Sequence, residues 1–210
     1  ALVGFVRGGL SMITIAASMF FAEISGSAVA DVAALGSILI PAMKKKGYPA
    51  PFAAAVCSSA ASLAVIIPPS IPMILYAVMA QTSVVQLFVA GIIPGIIGGF
   101  GMMFVSYLYA KKKNLPIEEN FNLKNVRKTG KEALLAFVLP VVILGGIFGG
   151  FVTATEGAGL AVVASLLIGV IYRELNFKKL FEATTEGGSQ TAIVMLLVAS
   201  SVLIGEFLTI

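Results

Sequence analysis

The 210-residue chain has none or almost none of several side chains on which enzymes rely. It contains no His and no Trp, a single Cys (Cys57) and a single Asp (Asp31). These counts exclude, within this chain, imidazole metal sites, Ser-His-Asp and Cys-His nucleophile systems, aspartyl dyads and an intrachain disulfide. We therefore expect no catalytic residue and no transition-metal site, and we interpret Cys57 as a small core hydrophobe.

Charge is also scarce. Only 11% of the residues are charged and 59% are hydrophobic, with a mean hydropathy of +1.03, whereas a soluble domain has about 25% charged and about 45–50% apolar residues. A protein of 21.7 kDa cannot hide that much apolar surface in its interior. The composition predicts a polytopic, all-α integral membrane protein in a lipid bilayer.

The charges lie between apolar runs, which we place at roughly 8–24, 28–43, 50–82, 85–110, 132–151, 157–172 and 188–210. If the first two runs enter and return and each later run crosses once, all 14 Lys and Arg residues lie on one face, and the opposite connections carry only Glu156. The positive-inside rule makes the basic face cytoplasmic. The net charge of +4 then requires no nucleic-acid partner. Within the opposite connection, Thr153 to Glu156 is typical of a helix N-cap with an acidic first turn.

The first two runs are short for full membrane crossings. Each has about 16 residues, which span about 25 Å against a hydrocarbon core of about 30 Å. Their connection, from Glu23 to Asp31, places polar residues at the deepest point. We favour a re-entrant helical hairpin over two full spans, although both return the chain to the same face.

The run 50–82 is too long for one straight helix and contains three prolines in five residues, Pro68, Pro69 and Pro72. Proline removes a backbone donor and pushes the preceding residue out of the helical region. The pattern predicts a discontinuous helix, with one half over 50–66 and the other over 71–82. Irregular backbone at membrane depth occurs only where it is buried in protein or lines a cavity.

Both interruptions carry hydroxyls, at Ser25, Ser27 and Ser70. The C-terminal end of a half-helix presents carbonyls that suit Na⁺, and the N-terminal end presents N–H groups that suit a carboxylate. Paired discontinuous helices at mid-membrane are typical of secondary transporters. An ordinary turn and a proline kink are the alternatives for the two motifs taken singly.

Other polar residues nearby have weaker assignments. Glu23 and Asp31 flank the tip and are candidates for ion ligands or proton carriers, with helix capping or hydroxyl bonding as the alternative. Three serines on the first half-helix are expected to lie next to the ligand-contacting residues without contacting the ligand themselves, because membrane serines often bond their own helix or a neighbouring one. They are Ser58, Ser59 and Ser62. Small-residue spacing at Gly91, Gly95 and Gly99 and in the segment 145–150 predicts close helix packing.

The chain resembles the large membrane subunit of TRAP transporters, the tripartite symporters that depend on a periplasmic binding protein. The matching stretches are SGSAVADVAALGSILIPAMKKKGY (25–48), FAAAVCSSAASLAVIIPPSIPMILYA (52–77), SVVQLFVAGIIPG (83–95) and GGIFGGFVTATEGAGLAVV (145–163). Two departures are Ala64, where the family often has Gly, and Ala154, where it often has Pro. The first residue is Ala and the last lies within an apolar run, so we expect a partial chain.

The resemblance implies Na⁺-driven uptake of an organic acid, such as a C4-dicarboxylate, sialic acid or keto acid, across the bacterial inner membrane by an elevator-like motion of inverted repeats. It implies a small membrane subunit and a periplasmic substrate-binding protein as partners, and Na⁺ as coupling ion with no other cofactor. It carries substrate contacts over to Ser25, Ser27 and Ser70. The implied Na⁺ contacts are Ser25, Gly26, Ser27, Pro68, Pro69 and Ser70.

The resemblance also divides the chain into three parts. These are a hairpin and broken-helix transport region (1–84), scaffold-type helices with a cytoplasmic interfacial segment at 114–131 (85–175), and the start of a second repeat (176–210). The second hairpin and second proline break of the family are not contained in these 210 residues, so we expect this part alone not to transport.

Three other functions remain as alternatives. The first is an ion-coupled carrier of the same hairpin architecture without a binding-protein partner. The second is an intramembrane hydrolase, which would need a Ser-Lys or lone-Glu scheme because the chain has no His and one Asp. All Lys residues lie on the predicted cytoplasmic face, too far from the midplane serines for the Ser-Lys scheme. The third is a purely structural subunit, in which Ser25 and Ser70 could be replaced without effect.

The predicted topology can be tested by cysteine labelling of the full-length protein in a Cys57→Ala background. Lys45→Cys should react with a membrane-impermeant thiol reagent from the cytoplasmic side and Thr82→Cys from the opposite side, since one crossing separates them. Labelling of both positions from the same side would contradict the topology.

Overall fold

The computed structural model describes residues 6–117, 138–172 and 175–209, and these ranges contain helices and no strand. The α-helices are α1 (Gly9–Ser25), α2 (Ala28–Lys45), α3 (Ala50–Ala61), α4 (Ile71–Met79), α5 (Val84–Lys112), α6 (Val138–Phe148), α7 (Ala154–Ile171) and α8 (Phe177–Thr209). The all-helical class predicted from the sequence is confirmed for this part of the chain. The contacts divide the protein into two units with a boundary between Val162 and Val163, and each is described by itself.

Helices α1 and α2 form an antiparallel hairpin. Two residues connect them: Gly26 ends α1 in the left-handed region at φ 58°, and Ser27 caps α2 by accepting from the Ala30 N–H. At the open end of the hairpin, the Thr14 hydroxyl lies 3.9 Å from the Met43 sulfur. The arms of 17 and 18 residues are about 26 Å and 27 Å long at about 1.5 Å per residue. The hairpin predicted over 8–43 is thus present with nearly the predicted bounds.

The predicted discontinuous helix is also present. Helix α3 is followed by a 3₁₀ turn over Ser62–Val65, and α4 begins at Ile71. The intervening residues are not helical, and the Pro68–Pro69 bond is cis. Two prolines in sequence remove consecutive backbone donors, so the helical ladder cannot continue through them. The regular α-helix ends earlier than the predicted residue 66 because its last turn tightens to 3₁₀ geometry, as helix ends often do.

Helix α5 packs against the helix break and against α1 through a stripe of glycines. A Cβ atom on Gly95 would lie 2.6 Å from Ile67 Cγ1, one on Gly91 would overlap the Ile66 carbonyl oxygen, and one on Gly99 would overlap the Met19 sulfur. The close approach predicted for these glycines is confirmed. Because the stripe faces both the broken helix and α1, α5 holds these two elements in one packed group.

Helix α6 and the part of α7 up to Val162 complete the first unit. Ile143 and Ile147 of α6 form a buried cluster with Phe88 of α5. The predicted cap of α7 is confirmed: Thr153 N–H and Oγ1 donate to Glu156 Oε2 at 2.8 Å and 2.9 Å, and Glu156 N–H donates back to Thr153 Oγ1 at 3.3 Å. Gly145, by contrast, has no neighbour within 4 Å of a built Cβ, so no helix approaches closely at that position in the described residues.

Helix α8 in the second unit begins earlier than its apolar run. The run was placed at 188–210, but the helix starts at Phe177. Asn176 caps it by accepting from the Lys179 N–H at 2.7 Å, and Lys178 and Glu182 form an ion pair at 3.9 Å one turn apart. Polar side chains can thus continue a helix beyond its apolar part. The hydropathy pattern therefore predicts the ends of the membrane segment but not the ends of the helix.

Within the described residues, three helices are long and apolar enough to cross a membrane, namely α5, α7 and α8 as far as Phe207. Large apolar side chains are exposed along them, and monomeric soluble proteins rarely expose apolar surface to this extent. The protein is therefore a membrane protein. Most of the predicted interfacial segment 114–131 and the start of the run 132–151 lie outside the described residues. The three-part division of the chain stays a prediction.

The glycine stripe generates a stability prediction. Gly91→Ala should lower the free energy of unfolding of the full-length protein by about 1–3 kcal/mol, because the added methyl overlaps the carbonyl oxygen of Ile66. Gly101→Ala is the matched control, since a Cβ at Gly101 meets nothing within 4 Å. Thermal denaturation in detergent measures both, and equal midpoints for the two variants would contradict the packing role.

Candidate functional site

The hairpin tip lies directly against the helix break. A Cβ built on Gly26 would be 3.0 Å from the Pro69 carbonyl oxygen and 3.4 Å from the Ile71 nitrogen. Gly26 is buried, has a positive φ and lies between the two serines of the tip. Only glycine combines this backbone conformation with so close an approach. The structure thus brings together the two motifs that lie more than forty residues apart in the sequence.

Ser70 forms the polar end of the break. It is fully buried, and its hydroxyl donates to the Val65 carbonyl oxygen at 2.7 Å while accepting from the Met73 N–H at 3.5 Å. The first bond satisfies a carbonyl of the 3₁₀ turn, and the second caps α4. Ser70 therefore joins the end of one half-helix to the start of the next.

Ser25 and Asp31 form the polar core of the hairpin tip. The Ser25 hydroxyl donates to Asp31 Oδ1, and Ser25 Oγ accepts from the Ser27 N–H at 3.2 Å. Asp31 lies in the first turn of α2 and is fully buried, and its second carboxyl oxygen has no hydrogen-bond partner in the described part of the chain. A buried carboxyl with one free oxygen is suited to binding a cation or a proton.

A cavity of about 180 Å³ opens where the tip meets the break. Ser25, Gly26, Pro69 and Ser70 supply its polar part. The remainder is apolar and comes from neighbouring helices; it consists of Ile24, Ile71, Ile74, Phe88, Ile143, Ile147, Ala154, Ala158 and Ala161. No basic side chain is among these lining residues, so any anion in the cavity would rely on N–H groups and hydroxyls.

The other predicted site residues are placed differently. Pro68 is buried in the break, and Ser27 and Glu23 are half-buried near the tip. Ser58 and Ser62 are exposed and return their hydroxyls to their own helical segment, to Ala54 O at 2.9 Å and Ser59 O at 2.6 Å. Ser59 is also exposed and lines a separate apolar pocket. None of these three serines lines the cavity. Their supporting role stays a prediction.

Sequence reasoning missed the apolar wall of the cavity. Ala154, Ala158 and Ala161 line it from α7, and Ile143 and Ile147 line it from α6. The alanines recur at positions i, i+4 and i+7, the spacing of one helix face. This spacing of small residues could have indicated a packed face of α7. It does not, however, indicate which part of the protein lies against that face.

A family model confirms the assignment that the hairpin and the break suggest. The model for the DctM component of the tripartite ATP-independent periplasmic transporter matches residues 1–210. The chain belongs to this family. The relatives reported below are named as transporter permeases, which agrees with the expectation that the protein is not an enzyme.

Three permeases are among the relatives whose alignments cover the whole chain. The isethionate TRAP transporter permease protein of Oleidesulfovibrio alaskensis is 41% identical, the C4-dicarboxylate TRAP transporter large permease protein of Pseudomonas aeruginosa is 40% identical, and the 2,3-diketo-L-gulonate TRAP transporter large permease protein of Escherichia coli is 38% identical. Each alignment includes 100% of this chain, but 33%, 49% and 49% of the respective relative. The chain thus spans between a third and a half of the length of these permeases.

The role of Ser70 in the break can be tested by stability. Ser70→Ala should lower the free energy of unfolding of the full-length permease by about 1–3 kcal/mol, because it removes an N-cap and leaves the Val65 carbonyl oxygen without its donor. Ser58→Ala is the control, since that serine is exposed and bonds its own helix. A loss of the same size in both variants would show that the break does not depend on Ser70.

Proposed function

We propose that the full-length permease carries out Na⁺-coupled uptake of an organic acid across the bacterial inner membrane. It would act as the large transmembrane subunit of a tripartite symporter, with a small membrane subunit and a periplasmic substrate-binding protein as partners. The observation that supports this most is the contact of the hairpin tip with the helix break at a cavity lined by two serines. Two interrupted helices meeting at one small cavity are the arrangement of secondary-transporter sites.

The substrate class follows from the chemistry of the cavity and from the relatives. The three relatives are named for isethionate, C4-dicarboxylate and 2,3-diketo-L-gulonate, all of which are small organic anions. The first turn of α4 contains no acidic residue, so its positive helix end is available to an anion. The first turn of α2 contains Asp31, which already offsets the positive end of that helix.

This difference supports a proposed division, with the ion at the hairpin tip, between Ser25 and Asp31, and the substrate in the cavity at the start of α4. The Ser25 hydroxyl gives its one proton to Asp31, so its remaining capacity is that of an acceptor. Ser25 and the free oxygen of Asp31 thus favour Na⁺ at the hairpin tip, and the start of α4 at Ser70 favours the carboxylate. Ser70 also gives its proton to a carbonyl, and the Met73 N–H donates to Ser70 Oγ. Because Pro72 has no N–H, the Ile71 N–H would be the main backbone donor of α4 to the substrate.

The membrane placement is part of the same proposal. We propose that the hairpin is re-entrant, because both arms are shorter than the hydrocarbon core and their polar tip meets a break within an apolar segment. The basic ends at Lys44 to Lys46 and Lys111 to Lys113 would then face the cytoplasm. In an elevator-like motion, α5 would move together with the hairpin, because its glycines contact α1 and the break closely. This differs from the division expected from the sequence, which placed α5 in the scaffold part.

Uptake by the full-length permease, reconstituted in vesicles with its small subunit and binding protein, tests the proposal. Labelled succinate, isethionate and N-acetylneuraminate are offered separately under an inward Na⁺ gradient. Ser25→Ala and Ser70→Ala should each lower the rate of Na⁺-dependent uptake at least tenfold, which corresponds to an increase of about 1.4 kcal/mol in the activation free energy. Ser25→Ala should mainly raise the Na⁺ concentration for half-maximal uptake.

Ser37→Ala serves as the control, because Ser37 is an exposed serine on α2 whose hydroxyl donates to Ala34 O at 2.8 Å. It should transport like the unmodified protein at equal amounts in the membrane. Undiminished uptake by both site variants would refute the site, and equal uptake under a K⁺ gradient would refute Na⁺ coupling.

A further inference from the structure

A second polar pocket lies at the other end of α5, away from the cavity at the hairpin tip. Its volume is about 580 Å³, and it is lined by Val6, Arg7, Tyr107, Lys111, Asn114 and Ile117. Two cationic side chains thus face one open pocket together with an amide and a phenol. None of these lining residues is acidic, so the pocket is suited to an anion.

Local backbone structure fixes the α5 side of this pocket. Asn114 ends the helix in the left-handed region at φ 50°, and Leu115 N–H then donates to the Ala110 carbonyl oxygen at 2.9 Å. Leu115 is buried in a cluster with Met43, Tyr48 and Ala110. This C-terminal turn sets the position of the Asn114 side chain, which accepts a hydrogen bond from the Arg7 guanidinium.

The α1 side is held against α5 just as closely. Ser11 Oγ and Ser106 Oγ are hydrogen-bonded at 2.6 Å, and both serines are buried. A Cβ on Gly8, which precedes α1, would overlap the Cβ of Ala110. Arg7 therefore emerges from a junction that is closely packed on both helices, and its guanidinium is directed to the pocket by Asn114.

An exposed apolar stripe on α5 leads to the pocket. Ile93, Ile97, Phe100 and Phe104 are 67%, 66%, 64% and 62% exposed, and their spacing of four, three and four residues places them on one helix face. Lys111 follows Phe104 by seven residues, so it lies on the same face at the polar end. The stripe and the pocket together offer an apolar surface next to a cationic end, which suits the acyl chain and the phosphate of a phospholipid.

We propose that this surface binds an anionic phospholipid, with its phosphate in the pocket between Arg7 and Lys111 and an acyl chain along the α5 stripe. Basic pockets between membrane helices bind anionic headgroups, and each Lys or Arg near the surface strengthens such binding. The planar guanidinium of Arg7 can bond two phosphate oxygens at once, and Asn114 and Tyr107 add neutral polar groups. This inference is independent of the transported substrate and concerns a different site.

Native mass spectrometry of the purified full-length permease tests the proposal. The protein is titrated with phosphatidylglycerol and, separately, with phosphatidylcholine. The variant Arg7→Gln with Lys111→Gln should bind phosphatidylglycerol roughly 25-fold more weakly, since each cation in contact with the headgroup contributes about fivefold. The single variants Arg7→Gln and Lys111→Gln should each show about a fivefold loss, which provides a second measurement if the double variant is unstable.

The matched control is Lys45→Gln with Lys46→Gln, which removes two exposed cations at the basic end of the hairpin but outside the pocket. It should retain phosphatidylglycerol within about twofold. Equal losses in both double variants would overturn the proposal in favour of general charge attraction. Equal binding of phosphatidylcholine, or competition by soluble glycerol phosphate as strong as by the lipid, would also overturn it. Occupation of the stripe by a copurifying small subunit that excludes lipid would assign the surface to a protein partner instead.

Discussion

The contact of the hairpin tip with the helix break is the constraint on which the rest of this structure depends. Each interruption leaves backbone groups without helical partners, and lipid offers no water to satisfy them. The structure satisfies these groups locally: Ser70 bonds the Val65 carbonyl and caps α4, and Ser27 caps α2. Gly26 then lets the two interruptions touch at the Pro69 carbonyl oxygen. A side chain at Gly26 would strain its left-handed backbone and press on the Pro69 carbonyl oxygen.

Helix α5 is the second necessary part, because its glycines remove the side chains that would keep it from the break. The same helix connects two distinct polar regions: the cavity at the hairpin tip, which contains no basic side chain, and the pocket near Arg7 and Lys111 at its other end. This separation of charge follows from membrane energetics. A fixed cation at membrane depth is costly, whereas a cation at the end of a helix can interact with headgroups and water.

Much of the fold could be predicted because its signals are local. Three prolines in five residues interrupt a helix in almost any surroundings, and Ser-Gly-Ser between two apolar runs of about 16 residues predicts a hairpin. The cap formed by Thr153 and Glu156 was found in the same way. The start of α8 was missed because Asn176 and the Lys178–Glu182 pair extend the helix into a charged segment, and a hydropathy pattern does not record capping. Ser58, Ser59 and Ser62 were expected to support the site, but none of them contacts the cavity. The helix face that is directed to a site depends on how the neighbouring helices pack, which the sequence of one helix does not state.

The sequence by itself determined that this is a membrane protein of interrupted helices with little side-chain chemistry, because hydrophobicity, proline and glycine act on the chain locally. Only the tertiary structure decided which groups meet. It paired Ser25 with Asp31, placed Pro69 against Gly26, enclosed the cavity with alanines of α7, and brought Arg7 to Asn114 across 107 positions of sequence. Such pairings depend on how helices pack on one another, and packing is a property of whole surfaces that no single segment encodes.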